Sequence, residues 1–266
     1  MDYFAPATLR EAENLKKKAR RTAVYLAGGT ILNWKKSPKA DCLIDLTNLK
    51  LDYVKVSDSR VTLGAMTTIQ GVAENKRLPA ALAVAAANFS SRNIRNMATV
   101  GGSVAGRFFV SDMLPVLLSF KASVEFFKNG TKKTLPLDEW LETRPGLICS
   151  LVITRPGRFV SLRSERVSAI DFPLIVTAAG FDVKDGRIRD AVVAVSGASA
   201  KTQGLSSAAS YLDGRGVKGV SHAELNRVVR GEVELADSIR TPVTVKKRVI
   251  ESHVKAIVSE CKRAAR

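Results

Sequence analysis

A chain of 266 residues that is 45% hydrophobic and 25% charged can bury a sizeable core, as one large domain or two ordinary ones. No run approaches the roughly 18 apolar residues of a membrane span, and the opening Met1-Asp2-Tyr3-Phe4-Ala5-Pro6 lacks a signal-peptide pattern, so a cytoplasmic protein is expected. A net charge of +17 would suit nucleic acid, but the basic clusters Lys16-Lys17-Lys18-Ala19-Arg20-Arg21, Lys35-Lys36, Lys132-Lys133 and Lys246-Lys247-Arg248 are scattered and accompany no nucleic-acid-binding signature, so none is expected as partner.

Residues 6–55 alternate helix and strand signals. Thr8 is placed to cap a helix running to about Lys18, with Ala12, Leu15 and Ala19 on one face. Val24-Tyr25-Leu26-Ala27 then reads as a short buried strand that stops at Gly28-Gly29, and Cys42-Leu43-Ile44-Asp45-Leu46 as another. Alternating strand and helix predicts a parallel βαβ unit.

The texture changes beyond residue 55. Val61, Leu63 and Ala65 alternate with polar residues, two helical stretches follow at about Thr68–Asn75 and Leu78–Phe89, and Ser123–Phe127 leads into the hairpin turn Asn129-Gly130. A boundary is expected where Thr154-Arg155-Pro156-Gly157-Arg158 interrupts the apolar run Leu147–Ile153. Phe172–Val183, the turn Asp185-Gly186 and Ile188–Val195 predict an antiparallel pair. Ser221-His222-Ala223-Glu224 has capping-box spacing, and Val245, Val249, Ile257 and Cys261 fall at helical positions in a long terminal helix after Pro242.

The three cysteines, Cys42, Cys149 and Cys261, are dispersed, and His222 and His253 are distant from them, so no zinc or iron–sulfur ligand spacing exists and no metal site is expected in this chain. Nor is there a Ser/His/Asp or Cys/His constellation, and no catalytic side chain is assigned.

Two glycine turns carry the functional reading. Ala27-Gly28-Gly29-Thr30-Ile31-Leu32-Asn33 ends a strand, where glycines let main-chain N–H groups approach an anion such as a diphosphate. Thr99-Val100-Gly101-Gly102-Ser103 repeats the small-residue pattern between two hydroxyls. By residue type alone the plain turn is the better reading of each, and a helix N-cap ahead of Met113 the better reading of Asp112. Neither turn is a Gly-x-Gly-x-x-Gly fingerprint or a P-loop.

Taken together, Tyr25-Leu26-Ala27-Gly28-Gly29-Thr30, Leu63-Gly64-Ala65-Met66-Thr67-Thr68, Arg95-Asn96-Met97-Ala98-Thr99-Val100-Gly101-Gly102-Ser103 and Ser111-Asp112 with Pro115-Val116-Leu117-Leu118 resemble, in order and spacing, the FAD-binding subunits of molybdenum hydroxylases. The C-terminal part, from about Arg163 through the Asp171-Phe172 segment to the terminal helix, resembles the second flavoprotein domain of that family more loosely. The resemblance implies an α+β chain: a two-subdomain FAD-binding fold of the vanillyl-alcohol-oxidase (PCMH) type over 1–157, divided into 1–55 and 56–157, followed by a C-terminal α+β domain over 158–266.

It further implies that Ala27, Gly28, Gly29, Thr30, Ile31 and Leu32 line the FAD diphosphate and that Thr99, Gly101, Gly102 and Ser103 complete the cradle. Asp112 would accept from FAD hydroxyls, Ala65 and Thr67 would approach the cofactor, Ile148 and Cys149 would lie near the adenine or flavin, and Arg163 near the isoalloxazine. Electrons would arrive from a [2Fe-2S] small subunit, after chemistry on a molybdopterin-binding large subunit, and leave to NAD+ or another acceptor. The chain departs from many relatives at Ile31, where they have Asp, at Ser103, where they have Asn, and at Arg107-Phe108-Phe109-Val110, where they carry proline and small residues. Alternatives are a stand-alone flavin reductase or oxidase of the same fold, or a basic scaffold or nucleic-acid-binding subunit without flavin.

Overall fold

The computed structural model describes residues 2–19, 23–32, 40–106, 108–238 and 240–264. Asn33, the basic pairs Arg20-Arg21 and Lys35-Lys36, and Arg107 lie outside them.

Strand β1 (Asp2–Phe4) precedes helix α1 (Leu9–Lys18), whose N-terminus carries a complete capping box: Thr8 Oγ1 accepts from Glu11 N and the Glu11 carboxylate accepts from Thr8 N. There follow β2 (Ala23–Leu26), β3 (Cys42–Asp45), β4 (Val54–Val56), β5 (Val61–Gly64), α2 (Ile69–Glu74), α3 (Ala80–Asn88), α4 (Arg92–Met97), α5 (Val100–Ala105) and α6 (Met113–Ser119). A hairpin of β6 (Ser123–Lys128) and β7 (Thr131–Pro136) turns on Asn129 and Gly130, both at positive φ as the dipeptide demands. Then come α7 (Leu137–Thr143), β8 (Leu147–Ile153), β9 (Phe159–Glu165), β10 (Ile175–Lys184), β11 (Arg187–Ser196), β12 (Gln203–Gly204), α8 (Ser206–Leu212), α9 (His222–Glu232) and α10 (Val243–Ala264).

The chain divides into two compact units that interleave in sequence. One gathers the residues up to Leu78, Arg92–Gly106 and Ala122–Thr154; the other gathers Pro79–Ser91, residues 108–121 and the chain from Arg155 onward. Two segments inside the 1–157 span, α3 and α6, therefore pack with the C-terminal residues.

The first unit holds a parallel three-stranded sheet in the order β1-β3-β2 and an antiparallel five-stranded sheet in the order β4-β5-β8-β6-β7. The parallel unit is β1-α1-β2, with β3 inserted between the two strands, so its first strand is one that the sequence pattern did not reveal. Asp2–Phe4 is exposed throughout and shows no apolar alternation. Ala12, Ala23, Cys42, Ile44 and Leu46 bury against Leu147. Glu13 of α1 accepts from the N–H groups of Asn129 and Gly130, fastening the hairpin tip to the helix.

The second unit is the antiparallel sheet β12-β11-β10-β9, whose core runs from Ile175, Phe181 and Val195 to Leu225, Val229, Ile250, Val254 and Ile257 on the helices. In α10 the buried line is Ile250, Val254, Ile257, Val258 and Cys261, whereas Val245 is exposed. At α9, Ser221 Oγ accepts from Glu224 N, the forward half of the box.

Candidate functional site

In the first unit, β2 ends at Leu26, whose carbonyl accepts from Leu46 N, and the chain then leaves the sheet through Ala27-Gly28-Gly29. Gly29 has φ +69°, a left-handed conformation that a side chain disfavours. From Gly28 to Leu32 the main-chain amides donate to no described residue, and these residues are only half buried. A run of unpaired N–H groups at the carboxyl end of a parallel strand is a ready receptor for an anion.

The second turn is built differently. Thr99 caps α5, its Oγ1 accepting from Gly102 N at 3.1 Å, while its carbonyl accepts from Ser103 N at 2.9 Å. Val100 N donates to Thr67 O at 2.9 Å and Gly101 N to Ala65 O at 2.8 Å. The hydroxyl of Ser103 is buried and donates to Val100 O at 2.8 Å. The amides of Gly101, Gly102 and Ser103 and the Ser103 hydroxyl proton, read from sequence as donors to a ligand, are thus spent within the fold. Their local partners are carbonyls or a cap at ordinary hydrogen-bond distance, and the short helix takes them first.

The two turns meet through the main chain. A Cβ on Gly28 would lie 1.8 Å from Met97 O and 3.2 Å from Ala98 Cα. One on Gly101 would lie 2.7 Å from Ala65 Cβ and 2.8 Å from Ala65 O. Ala65 N in turn donates to Cys149 O at 2.9 Å, so a ladder of main-chain bonds joins β8, Ala65 and Gly101. Thr67 Oγ1 donates to Tyr53 O at 2.9 Å. Ile148 and Cys149 are buried in β8, and burial pushes the Cys149 thiol up to about 11, which makes it inert near neutral pH. Met97, exposed beside this junction, was not singled out from sequence because only the packing of Gly28 brings it there.

Asp112 and Arg163 belong to the second unit. Asp112 makes no capping bond to α6; Ser111 Oγ accepts from Leu114 N at 3.1 Å instead. Its carboxylate is turned toward Arg166, with Nη2 2.5 Å from Oδ1. Burial raises the Asp112 carboxyl to about 6, with the Arg166 guanidinium and the Ser164 hydroxyl opposing that rise. Arg163, on β9, places Nη2 2.6 Å from Glu260 Oε2, which also accepts from Ser161 Oγ at 2.7 Å. Phe108 and Phe109 both pack against Phe172, with centroids 6.0 and 6.2 Å apart. Arg166 was missed because its partner lies 54 positions away.

No described helix is long and apolar enough to cross a membrane. Residues 1–155 match the family model described as the FAD binding domain in molybdopterin dehydrogenase. The chain is 31% identical to YgfM of Escherichia coli K12 over 186 residues, covering 69% of this chain and 71% of that protein. It is 30% identical to the nicotinate dehydrogenase FAD-subunit of Eubacterium barkeri over 134 residues, 46% of this chain and 44% of that one. Among solved structures, a carbon monoxide dehydrogenase from Hydrogenophaga pseudoflava superposes with a TM-score of 0.89 at 19% identity, covering 100% of this chain and 98% of that one.

Proposed function

The chain belongs to the family of FAD-binding domains of molybdopterin dehydrogenases, and from that premise we propose that, as the flavin subunit of a molybdenum-hydroxylase complex, it carries electrons from [2Fe-2S] clusters on a small partner subunit to NAD+ or another acceptor. A molybdopterin-binding large subunit would carry the substrate chemistry. FAD supplies the redox capacity, accepting electrons singly and releasing them as a pair.

The observation that carries the reading is the run of amides from Gly28 to Leu32 that have no partner among the described residues, held against Met97 and Ala98 by a glycine contact that tolerates no side chain. In this proposal those amides and Thr30 hold the diphosphate. Thr99, Gly101, Gly102 and Ser103 fix the frame against Ala65 and Thr67, and β8 supports it through Ile148 and Cys149. The residues need only bind, orient and exclude water; no side chain acts as acid, base or nucleophile.

The test is an absorbance spectrum of the purified chain after incubation with FAD and removal of free flavin, followed by anaerobic NADH. Peaks near about 370 and 450 nm support the reading, and bleaching by NADH supports NAD+ as acceptor. A colourless chain overturns the first part, and an unbleached flavin overturns the second.

A further inference from the structure

Helix α10 turns one side to the core of the second unit and the other to solvent. Away from its buried line, Arg248, Lys255 and Lys262 recur at seven-residue intervals. Seven residues are close to two helical turns, so these cations form a line along the outer face with about 10 Å between neighbours. Arg248 and Lys255 are exposed and Lys262 is half-buried, and the residues between them on the line are Ser252 and Ser259.

No carboxylate lies on this line, because the four glutamates of α9 and α10 are committed elsewhere. Glu224 accepts from Tyr211 Oη at 2.8 Å, Glu232 from Ser207 N at 2.8 Å and Ala208 N at 3.0 Å, Glu251 pairs with Arg230 at 2.5 Å, and Glu260 pairs with Arg163 at 2.6 Å. Arg248, Lys255 and Lys262 make no ion pair among the described residues. Their field reaches α9: the His222 imidazole is held below the usual histidine range, by burial first and then by the charges of Lys262 and Lys255.

We propose that the outer face of α10 is a docking surface for an acidic helix of a partner protein, whose carboxylates at every seventh residue meet Arg248, Lys255 and Lys262. The match is one of spacing as well as sign. A second helix lying along α10 repeats the same two-turn interval, so one of its faces can engage all three cations at once. For a nucleic-acid strand, α10 offers no Phe, Tyr or Trp on which a base could stack. For a membrane surface, the line would need large apolar side chains among its cations, where it has serines.

The experiment follows the fluorescence anisotropy of a labelled alanine-based helical peptide of roughly 20 residues, with glutamates at every seventh position, titrated with the full chain at about 50 mM salt. The same peptide with its glutamates moved to different faces, poly-uridine, and vesicles of phosphatidylcholine and phosphatidylserine are the comparison probes. The heptad peptide is expected to bind more tightly than the rearranged one and to be released as salt rises. R248E/K255E/K262E should weaken it by at least about tenfold. K128E/K132E/K133E, an equal charge change at exposed positions of the β6–β7 hairpin in the first unit, should stay within about threefold of the parent. Equal binding of the two peptides, or equal losses in the two variants, makes net charge alone the attraction, and either overturns the inference. So does tighter binding of poly-uridine or of the vesicles than of the heptad peptide, and so does a heptad peptide that fails to bind at about 50 mM salt. If R248E/K255E/K262E does not fold, the two peptides compared on the parent chain decide.

Discussion

Gly28 and Met97 are in main-chain contact across the first unit, with so little space between them that a Cβ on Gly28 would fall 1.8 Å from the Met97 carbonyl oxygen. Residues 69 positions apart thereby fix each other, and the glycine turn after β2 acquires its position from the segment that begins the second turn.

Gly28→Ala is expected to cost about 3 kcal/mol or more, because main chain rather than a movable side-chain end must yield. Gly29→Ala meets only Leu26 Cδ1 at 3.4 Å and should cost the left-handed strain alone, about 1–2 kcal/mol. Urea midpoints with parallel FAD titrations check the order; equal losses at the two positions would sink the account of the contact.

Gly101→Ala should separate the second turn from Ala65, since the added carbon lies within 3 Å of both Ala65 Cβ and O. The expected result is loss of FAD retention with a lower unfolding midpoint. Gly102→Ala meets Thr99 Oγ1 at 2.9 Å and should mainly disturb the cap, a loss of about 1 kcal/mol. Parent-like FAD binding by Gly101→Val would show that the ladder through Ala65 does not support the site.

His253, on α10, is buried with Nδ1 3.2 Å from Thr177 Oγ1, and burial, helped by the charge of Arg163, lowers it to about 4. The folded protein thus binds this proton less readily than the unfolded chain, whose histidine titrates near 6.5. Its contribution is complete above 6.5 and is lost as pH falls toward 4, by up to about 3 kcal/mol. Unfolding midpoints measured against pH should show a shallower acid-side slope in His253→Gln; an unchanged slope would refute the assignment.

With 42 Lys and Arg against 25 Asp and Glu, the net charge of +17 has no counterpart within the chain, and opposite charge on partner subunits would steer assembly. Association of the proposed complex is expected to slow and weaken as salt rises from about 50 to 500 mM, following the shrinking Debye length. Salt-independent assembly, read by light scattering, would remove charge as the docking force.

The local signals were legible wherever a residue's own chemistry decided the outcome. Thr8 and Glu11 close a capping box, Asn129-Gly130 makes its hairpin turn, and the alternation at Val61 and Leu63 forms β5, because cap, turn and strand preferences act within a few residues. β1 was hidden for the same reason: three exposed residues carry no periodicity, and only pairing of Asp2, Tyr3 and Phe4 with Cys42, Leu43 and Ile44 makes them a strand.

By itself the sequence determined the family, through the order and spacing of the glycine turns, Asp112 and their neighbours, and with the family the flavin cofactor. Tertiary structure decided which donors remain for a ligand. Thr99 through Ser103 and Gly28 through Leu32 look alike as strings of small and hydroxyl residues, yet the first is saturated by Ala65, Thr67 and its own cap while the amides of the second have no partner among the described residues. A polar group's availability depends on which partner the fold brings within about 3 Å of it: the amide of Gly101 meets a carbonyl 36 residues away, at Ala65, and the carboxylate of Asp112 meets a guanidinium 54 residues away, at Arg166.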